Sequence, residues 1–396
     1  MSLRHGRPMV VSPGPSVIPD RVLAAMAKPM PNMYRGEIFD ISDEVFAALP
    51  KLARTSGQPF LVVANGHGAW QMALSNTLSR GDKVLVIQTG RFAKWWGDMA
   101  AISGIDVEVL AGDDREPADL VALQARLEAD TSHEIKAILI VQTDTATSIR
   151  NDIPAVRAAI DAASHPGLFM VDCIASLGVE RYEMDAWNVD VTIGSSQKGL
   201  MVPPGISFVW ANDKALAANA TADLRVGYLD WESRINPEMT YMLYNGTLPI
   251  SHLYALHEAL AMIEEEGGLE PVWHRHEVLA RSVHAAVDAW ATPGGMELQI
   301  PDPEYRANGV TTILTGSLDP ERLAEVCEDK MGLVLGAGIG GFEDRAIRIG
   351  HMGHVNPPML LGTLATLEAA LTAMGMPLGS SGVAAASEVI AKAITV

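Results

Sequence analysis

One lysine of this chain lies in a turn whose composition suits covalent chemistry. Lys198 belongs to the segment Gly194-Ser-Ser-Gln-Lys-Gly-Leu-Met-Val-Pro-Pro-Gly205, which follows the alternating apolar run 189–193. The alternation predicts a strand, and the two prolines exclude a regular helix or central strand beyond the lysine. A lysine whose amine can be neutral and held still is suited to form a Schiff base with an aldehyde cofactor. A lysine that only closes a loop fits this segment equally well.

Two other segments carry groups that such a cofactor needs. Asp172 closes the apolar run 168–171. A buried carboxylate there is costly without a cationic partner, and a protonated pyridine nitrogen is such a partner. Asn65-Gly-His-Gly-Ala69 follows another apolar run and precedes a helical stretch, so its backbone N–H groups could bind a phosphate. A capping aspartate and an ordinary glycine turn are the simpler interpretations of these two segments.

The elements that position these residues follow from the hydrophobic pattern. Short apolar runs occur at 60–63, 83–87, 107–110, 137–141, 168–171, 189–193 and 206–210, with helical stretches such as 117–129 and 154–163 between them. This alternation predicts an α/β fold with a mostly parallel sheet flanked by helices, and ligands at the carboxyl ends of its strands. Beyond 250, helical and extended runs predict a smaller α+β domain. We expect an N-terminal segment at 1–20, a large α/β domain at 21–265 and a small C-terminal domain at 266–396.

Composition limits the classes of partner. The 396 residues can form two domains, and 48% hydrophobic with 19% charged residues indicates a compact protein. The net charge of -19 argues against nucleic acid as a partner. Two cysteines, Cys173 and Cys327, are too few for a disulfide scaffold and favour a reducing compartment. Without an apolar run of signal-peptide or membrane-spanning type, the sequence predicts a cytoplasmic protein that makes no membrane contact.

The motifs together resemble a known family. Val171-Asp-Cys-Ile-Ala-Ser-Leu-Gly178 and the Lys198 segment resemble the class V, fold type I pyridoxal phosphate aminotransferases. The resemblance extends from Ser12-Pro-Gly-Pro-Ser16 to Arg348-Ile-Gly-His-Met-Gly353. It is closest to the serine–glyoxylate and alanine–glyoxylate aminotransferases, with pyridoxamine–pyruvate aminotransferase nearby. It implies a homodimer that binds pyridoxal 5'-phosphate in the large domain and transfers an amino group from a small amino acid to glyoxylate or pyruvate.

The resemblance also implies roles for individual residues. Lys198 would form the Schiff base and move the substrate proton, and Asp172 would hold the pyridinium proton. The other implied cofactor contacts are Asn65, Gly66, His67, Phe92, Thr145, Ile174 and Gln197, with Tyr244 and Thr247 reaching the phosphate of the neighbouring subunit. The chain departs from the family pattern at three positions. Asn65 replaces a serine, Phe92 replaces the commoner tryptophan, and Ser148 replaces a glycine.

Substrate recognition follows the same resemblance. Arg348 would bind the substrate carboxylate, because its planar fork matches a carboxylate with two parallel hydrogen bonds. Tyr34 and Arg35 would shape the substrate side of the site. The amino donor stays open between serine, alanine, aspartate and other amines, and so does the use of free pyridoxamine with pyruvate.

Other kinds of site are less well supported. A pyridoxal phosphate lyase of the desulfurase type needs a reactive cysteine on a mobile loop, and neither cysteine is placed on one. His274 and His276 point to different faces of a helix, so we expect no metal site. The glycine-rich run 336–341 lacks the βαβ unit of a dinucleotide site.

Overall fold

The structure is a computed structural model that describes residues 2–394. Its strands are β1 (Met9–Val10), β2 (Gln58–Val62), β3 (Lys83–Gln88), β4 (Asp106–Ala111), β5 (Ile135–Val141), β6 (Thr143–Asp144), β7 (Ile149–Arg150), β8 (Leu168–Asp172), β9 (Val191–Ser195), β10 (Ser207–Ala211), β11 (Glu297–Leu298), β12 (Val310–Leu314), β13 (Leu333–Val334), β14 (Gly336–Ala337) and β15 (Ala346–Gly350). Its α-helices are α1 (Asp20–Met26), α2 (Glu37–Ala53), α3 (Gly66–Thr77), α4 (Arg91–Ile102), α5 (Leu120–Ala129), α6 (Ile153–Ala162), α7 (Asp213–Asn219), α8 (Ile250–Glu265), α9 (Leu269–Trp290), α10 (Pro320–Met331), α11 (Pro357–Ala373) and α12 (Gly382–Ala393).

A seven-stranded sheet forms the centre of the molecule, and each of its strands overlaps one of the apolar runs of the sequence. The strand order is β2-β10-β9-β8-β5-β3-β4. The pairs among β3, β4, β5, β8 and β9 are parallel, whereas β10 is antiparallel to both of its neighbours. The prediction of a mostly parallel α/β sheet is therefore confirmed.

Successive side chains along a strand point to opposite faces of the sheet, and helices cover both of these faces. On β3, Leu85 and Ile87 face a core shared with α2, α5, α6 and α8. Val84 and Val86 face the other core, which α3, α4 and α7 cover. Such two-sided burial explains why these strands appear as nearly continuous apolar runs.

A second sheet, of order β11-β12-β15-β14, lies in the C-terminal part and is antiparallel. The N-terminal strand β1 joins this part, because Met9 pairs with Leu333 of β13. Helix α9 belongs to both parts of the molecule. Its residues Leu269 and Val272 lie in the core of the large sheet, and Leu279 and later residues lie in the C-terminal core. The predicted domain boundary at 265/266 falls just before this helix, and the division into domains stays a prediction.

Two features are absent from residues 2–394. No helix in that range is both long and apolar enough to span a membrane. The same range contains no group of three or more His, Cys, Asp and Glu side chains able to hold a metal ion. His274 is exposed and His276 is buried on helix α9, so the two side chains do point to different faces. The cytoplasmic location stays a prediction.

Candidate active site

A cavity of about 280 Å³ lies at the edge of the large sheet where the parallel strands end. Segments that follow β2, β3, β5, β8 and β9 supply most of its walls. Nine of the predicted site residues line it: Asn65, Gly66, His67, Phe92, Thr145, Asp172, Ile174, Gln197 and Lys198. Their contact with a cofactor stays a prediction, but the fold brings them together.

The amine of Lys198 is held by a backbone oxygen from the N-terminal segment. Its Nζ donates a hydrogen bond to the carbonyl of Pro13. Burial and the positive charge of Arg348 lower the pKa of Lys198 to about 8, although the carboxylates of Asp172 and Asp144 oppose this shift. Near neutral pH, a larger fraction of this amine is unprotonated than for an exposed lysine, as a nucleophile or base requires.

Asp172 presents a buried carboxyl group to the same cavity. Its two oxygens accept hydrogen bonds from the indole Nε1 of Trp70 (2.8 Å) and from the backbone N–H of Ile174 (2.6 Å). Burial raises the pKa of Asp172 to about 7. No lysine or arginine within residues 2–394 forms a salt bridge with it. A protonated pyridine nitrogen in the cavity would supply the missing positive partner, so the residues present fit pyridoxal phosphate.

The start of helix α3 forms a second wall of the cavity. Asn65 caps this helix, because its Oδ1 accepts the backbone N–H of His67 at 3.2 Å. The cap leaves the Asn65 side-chain NH₂ free to donate. A Cβ on Gly66 would lie 2.4 Å from Cδ1 of Ile174, so a larger residue here would displace the end of the Ile174 side chain. The helix start therefore presents backbone and side-chain donors, as a phosphate group requires.

Gln197 adds a further donor. Its Oε1 accepts a hydrogen bond from the hydroxyl of Ser195, which in turn lies 2.7 Å from the hydroxyl of Ser207. With Oε1 occupied in this way, the side-chain NH₂ of Gln197 is available to the cavity.

Aromatic rings cover one side of the cavity. Phe92 lines it, and Trp95 meets the Phe92 ring edge-on with the centroids 5.7 Å apart. His67 packs in the same manner on Trp70 at 4.5 Å, and partial burial lowers the pKa of His67. A flat ring such as a pyridine would find an apolar face here.

Sequence reasoning missed Asp144, which organises this side of the site. Its carboxylate accepts the N–H of Phe92 (2.7 Å) at the start of α4 and the N–H of Ala146 (2.8 Å). A Cβ on Gly90 would lie 2.3 Å from the Asp144 carboxyl carbon, so the absence of a side chain at Gly90 leaves room for this carboxyl group. The available signal is an acid between two threonines, three residues after the end of the apolar run 137–141.

Trp70 and Pro13 were also missed, because their partners are distant in the sequence. Ser148, in contrast, was recognised as a departure from the family glycine. Its φ is 63°, in the left-handed region that glycine adopts easily and other residues rarely adopt. The Ser148 hydroxyl accepts the N–H of Thr312 at 3.1 Å, which helps to hold that strained residue.

Arg348 lies on β15, beside the cavity and not in its lining. Its Nε donates to the carbonyl of Ala337 (2.6 Å), and its Nη1 donates to the carbonyl of Thr145 (2.8 Å), which does line the cavity. Burial lowers the pKa of Arg348 to about 10, and the charge of Asp144 opposes this shift. These bonds leave Nη2 and one hydrogen of Nη1 for a substrate carboxylate.

Four predicted site residues are not brought to the cavity. Tyr244 is fully buried in its own subunit, with its hydroxyl 2.6 Å from Ser42 Oγ. Its contact with a neighbouring subunit stays a prediction. Thr247, Tyr34 and Arg35 are exposed, and their roles stay predictions.

The chain is similar to several known proteins over nearly its whole length. The family described as aminotransferase class-V matches residues 56–341. The serine–glyoxylate aminotransferase of Methylorubrum extorquens is 40% identical over 97% of this chain and 96% of its own length. The L-aspartate–glyoxylate aminotransferase of Paracoccus denitrificans is 35% identical, with 95% and 94% covered. The solved structure of pyridoxamine–pyruvate aminotransferase from Mesorhizobium loti, 23% identical, covers 100% of both chains with a TM-score of 0.88, which shows the same fold.

Proposed function

The chain belongs to the class-V aminotransferases, and we propose that it transfers an amino group from a small amino acid to glyoxylate. Its cofactor is pyridoxal phosphate. The observation that carries the proposal is the cavity that both Lys198 and the buried Asp172 line, beside a cluster of N–H donors. The choice of glyoxylate is supported by the two relatives described above, whose names specify it.

Some residues of the site would bind the cofactor or the substrate, and others would hold or transfer a proton. When bound, pyridoxal phosphate supplies an aldehyde that links to amines and a ring that draws electrons from the substrate Cα. Lys198 Nζ would take the proton from that Cα and later return it, since its lowered pKa leaves the amine ready to accept one. Asp172 would keep the ring nitrogen protonated. The turn at Asn65 and the amide of Gln197 would hold the phosphate, and Arg348 would orient the substrate carboxylate.

The first test removes the reactive amine. We expect Lys198→Ala to abolish turnover and covalent attachment of cofactor, which borohydride trapping and peptide mass spectrometry measure. Lys136→Ala is the control, because Lys136 also donates to a backbone carbonyl, that of His133, but is exposed. The control should retain both properties. Normal turnover in Lys198→Ala would refute the proposal.

The second test identifies the substrates. The purified protein with its cofactor is mixed with serine, alanine, aspartate or pyridoxamine without an acceptor, and the loss of visible absorbance is followed. Glyoxylate or pyruvate is then added to restore it. We expect a small amino acid to act as donor and glyoxylate to act as the better acceptor. Rapid reaction with pyridoxamine and pyruvate alone would favour the alternative in which free pyridoxamine is the substrate.

The structure gives two reasons to prefer this proposal to the alternatives. The donors at the start of α3 and on Gln197 suit a phosphate-bearing cofactor, which free pyridoxamine is not; we therefore expect cofactor to stay bound through gel filtration. A desulfurase-type lyase needs a reactive cysteine. Cys173 and Cys327 are buried, neither lines the cavity, and burial raises the pKa of both thiols.

A homodimer belongs to the same proposal. Val226, Tyr228, Met239 and Tyr241 expose between 43% and 54% of their surface on a segment of irregular backbone. Asn245 ties this segment together, because its side chain donates to the carbonyl of Tyr228 at 3.2 Å. Exposed aromatic and methionine side chains are typical of protein interfaces. We propose that this surface meets a second subunit and that Thr247, close by in sequence, contributes to the partner site.

Mixed dimers test that arrangement. Lys198→Ala subunits are combined with Thr247→Val subunits, each of which should be weakly active or inactive alone. If Thr247 acts across the interface, one site of the mixed dimer has both native residues and activity returns on mixing. If native mass spectrometry shows mixed dimers and no activity returns, Thr247 does not act in the neighbouring site.

A further inference from the structure

A short N-terminal segment, residues 12–16, lies directly against the reactive lysine; we call it the strap. The Nζ of Lys198 donates to the carbonyl of Pro13. Ser16 holds the backbone on both sides of the lysine residue's Cα. Its N–H donates to the carbonyl of Gln197 (2.9 Å), and its hydroxyl donates to the carbonyl of Lys198 (2.7 Å). The strap thus contacts both the amine and the peptide groups of this residue.

The strap is also too close to the lysine to accept a larger residue at its centre. Gly14 has a φ of 98°, which side chains rarely adopt, and a Cβ there would lie 2.4 Å from Nζ of Lys198. The backbone of the strap therefore forms the wall against which the amine rests.

The other side of the strap is fixed to the C-terminal sheet. The N–H of Val11 donates to Val334 (2.9 Å), and Gly350 donates to the carbonyl of Val11 (2.6 Å). A Cβ on Gly350 would lie 2.6 Å from the carbonyl oxygen of Ser12, so the backbones of Gly350 and Ser12 are in direct contact. Gly350 ends the strand that carries Arg348. The strap is consequently the link between that strand and Lys198.

We propose that the strap is a positioning element for Lys198, which acts through the carbonyl of Pro13 and the two hydrogen bonds of Ser16. A neutral amine has two N–H groups and one lone pair in a tetrahedral arrangement. If one N–H is committed to Pro13, the lone pair is kept away from that carbonyl and is available to the cavity. This inference rests on the proposed function of Lys198 as the reactive amine.

The first test is Gly14→Ala, with Gly81→Ala as its control. Gly81 has a φ of 80°, and a Cβ there meets nothing within 4 Å, so the control carries a comparable backbone strain without the clash. The readout is the rate at which cofactor-free protein attaches pyridoxal phosphate to Lys198, with thermal unfolding recorded in parallel. We expect at least a roughly 10-fold slower attachment in Gly14→Ala and none of that loss in the control. Attachment at the wild-type rate in a folded Gly14→Ala protein would overturn the proposal.

The second test, Ser16→Ala, is milder and keeps the proposal testable if Gly14→Ala fails to fold. Ser2→Ala is the control, because Ser2 also donates its hydroxyl to a backbone carbonyl at 2.7 Å, but far from the site. Loss of one hydrogen bond predicts an attachment rate and a kcat about 3- to 10-fold lower in Ser16→Ala, with the KM for the amino acid unchanged. Unchanged attachment and kcat would overturn the proposal.

Cofactor attachment in the wild-type protein distinguishes failure of the proposed function from failure of the positioning role. If it attaches no cofactor to Lys198, the proposed function itself fails. If it attaches cofactor normally and neither strap variant differs from its control, only the positioning role is wrong.

Discussion

Asp172 makes the folding stability of the cofactor-free protein depend on pH. Its pKa rises from 3.8 in the unfolded chain to about 7, because the folded protein buries it. The folded state therefore holds this proton more tightly, so the stabilisation is complete below pH 4 and is lost as the pH rises through 7. Relative to Asp172→Asn, the wild type should lose on the order of 4 kcal/mol between pH 4 and pH 8. Urea unfolding at both pH values measures this, and the exposed Asp106→Asn should follow the wild type. Parallel profiles for wild type and Asp172→Asn would contradict the assigned burial effect.

Arg348 should affect substrate binding more than cofactor binding. Its Nε and Nη1 bind backbone carbonyls, and only a guanidinium keeps further N–H groups for a carboxylate. Arg348→Lys should raise the KM for the amino acid about 10- to 100-fold, because hydrogen bonds to charged groups are lost. Arg345→Lys, at a half-exposed neighbour, is the steady-state kinetic control. An unchanged KM in Arg348→Lys would remove Arg348 from the substrate site, and an altered cofactor content would indicate a structural role instead.

At the scale of the element, Asn65 at the start of helix α3 should affect both the stability of the protein and its affinity for the cofactor. Asn65→Ala removes the helix cap and a free NH₂, so we expect a loss of about 1 kcal/mol of stability and about 10-fold weaker cofactor binding. Asn356→Ala serves as control, because Asn356 caps α11 with the same 3.2 Å bond away from the cavity. The control should lose stability only. Denaturant unfolding and cofactor titration distinguish the two effects, and equal cofactor affinity in both variants would exclude Asn65 from the phosphate site.

The sequence predicts elements better than it predicts contacts between them. Every strand of the large sheet overlaps an apolar run, because helices cover both faces of the sheet and most of its strand positions are buried. The contacts between segments at the edge of the sheet correspond to no such pattern in the sequence. Trp70 bonds a carboxylate 102 residues away, and Lys198 bonds Pro13 across 185 residues. Asp144 is hidden for the same reason, since its partner Phe92 lies 52 residues earlier, at the start of α4.

At the scale of the whole molecule, the net charge of -19 opposes the approach of an anionic cofactor. Salt screens repulsion between separated charges, with a Debye length of about 10 Å at 0.1 M. We therefore expect the association rate constant of pyridoxal phosphate to rise with ionic strength, while its dissociation rate constant changes little. Stopped-flow measurements between low and moderate salt concentration test this. A falling association rate would show that positive charge near the cavity dominates the approach of the ligand.

The pairing of β1 with β13 has a consequence for the order in which the protein is made. All strands of the large sheet are complete once Ala211 has been synthesised, but the partner of Met9 is Leu333. The segment that rests on Lys198 is thus translated before the large sheet, whereas the strand that pairs with β1 follows more than a hundred residues after that sheet is complete. Such a contact, distant in sequence, is expected to form late. A nascent chain on the ribosome would therefore carry its reactive lysine in a nearly finished sheet before β13, the pairing partner of β1, has been synthesised.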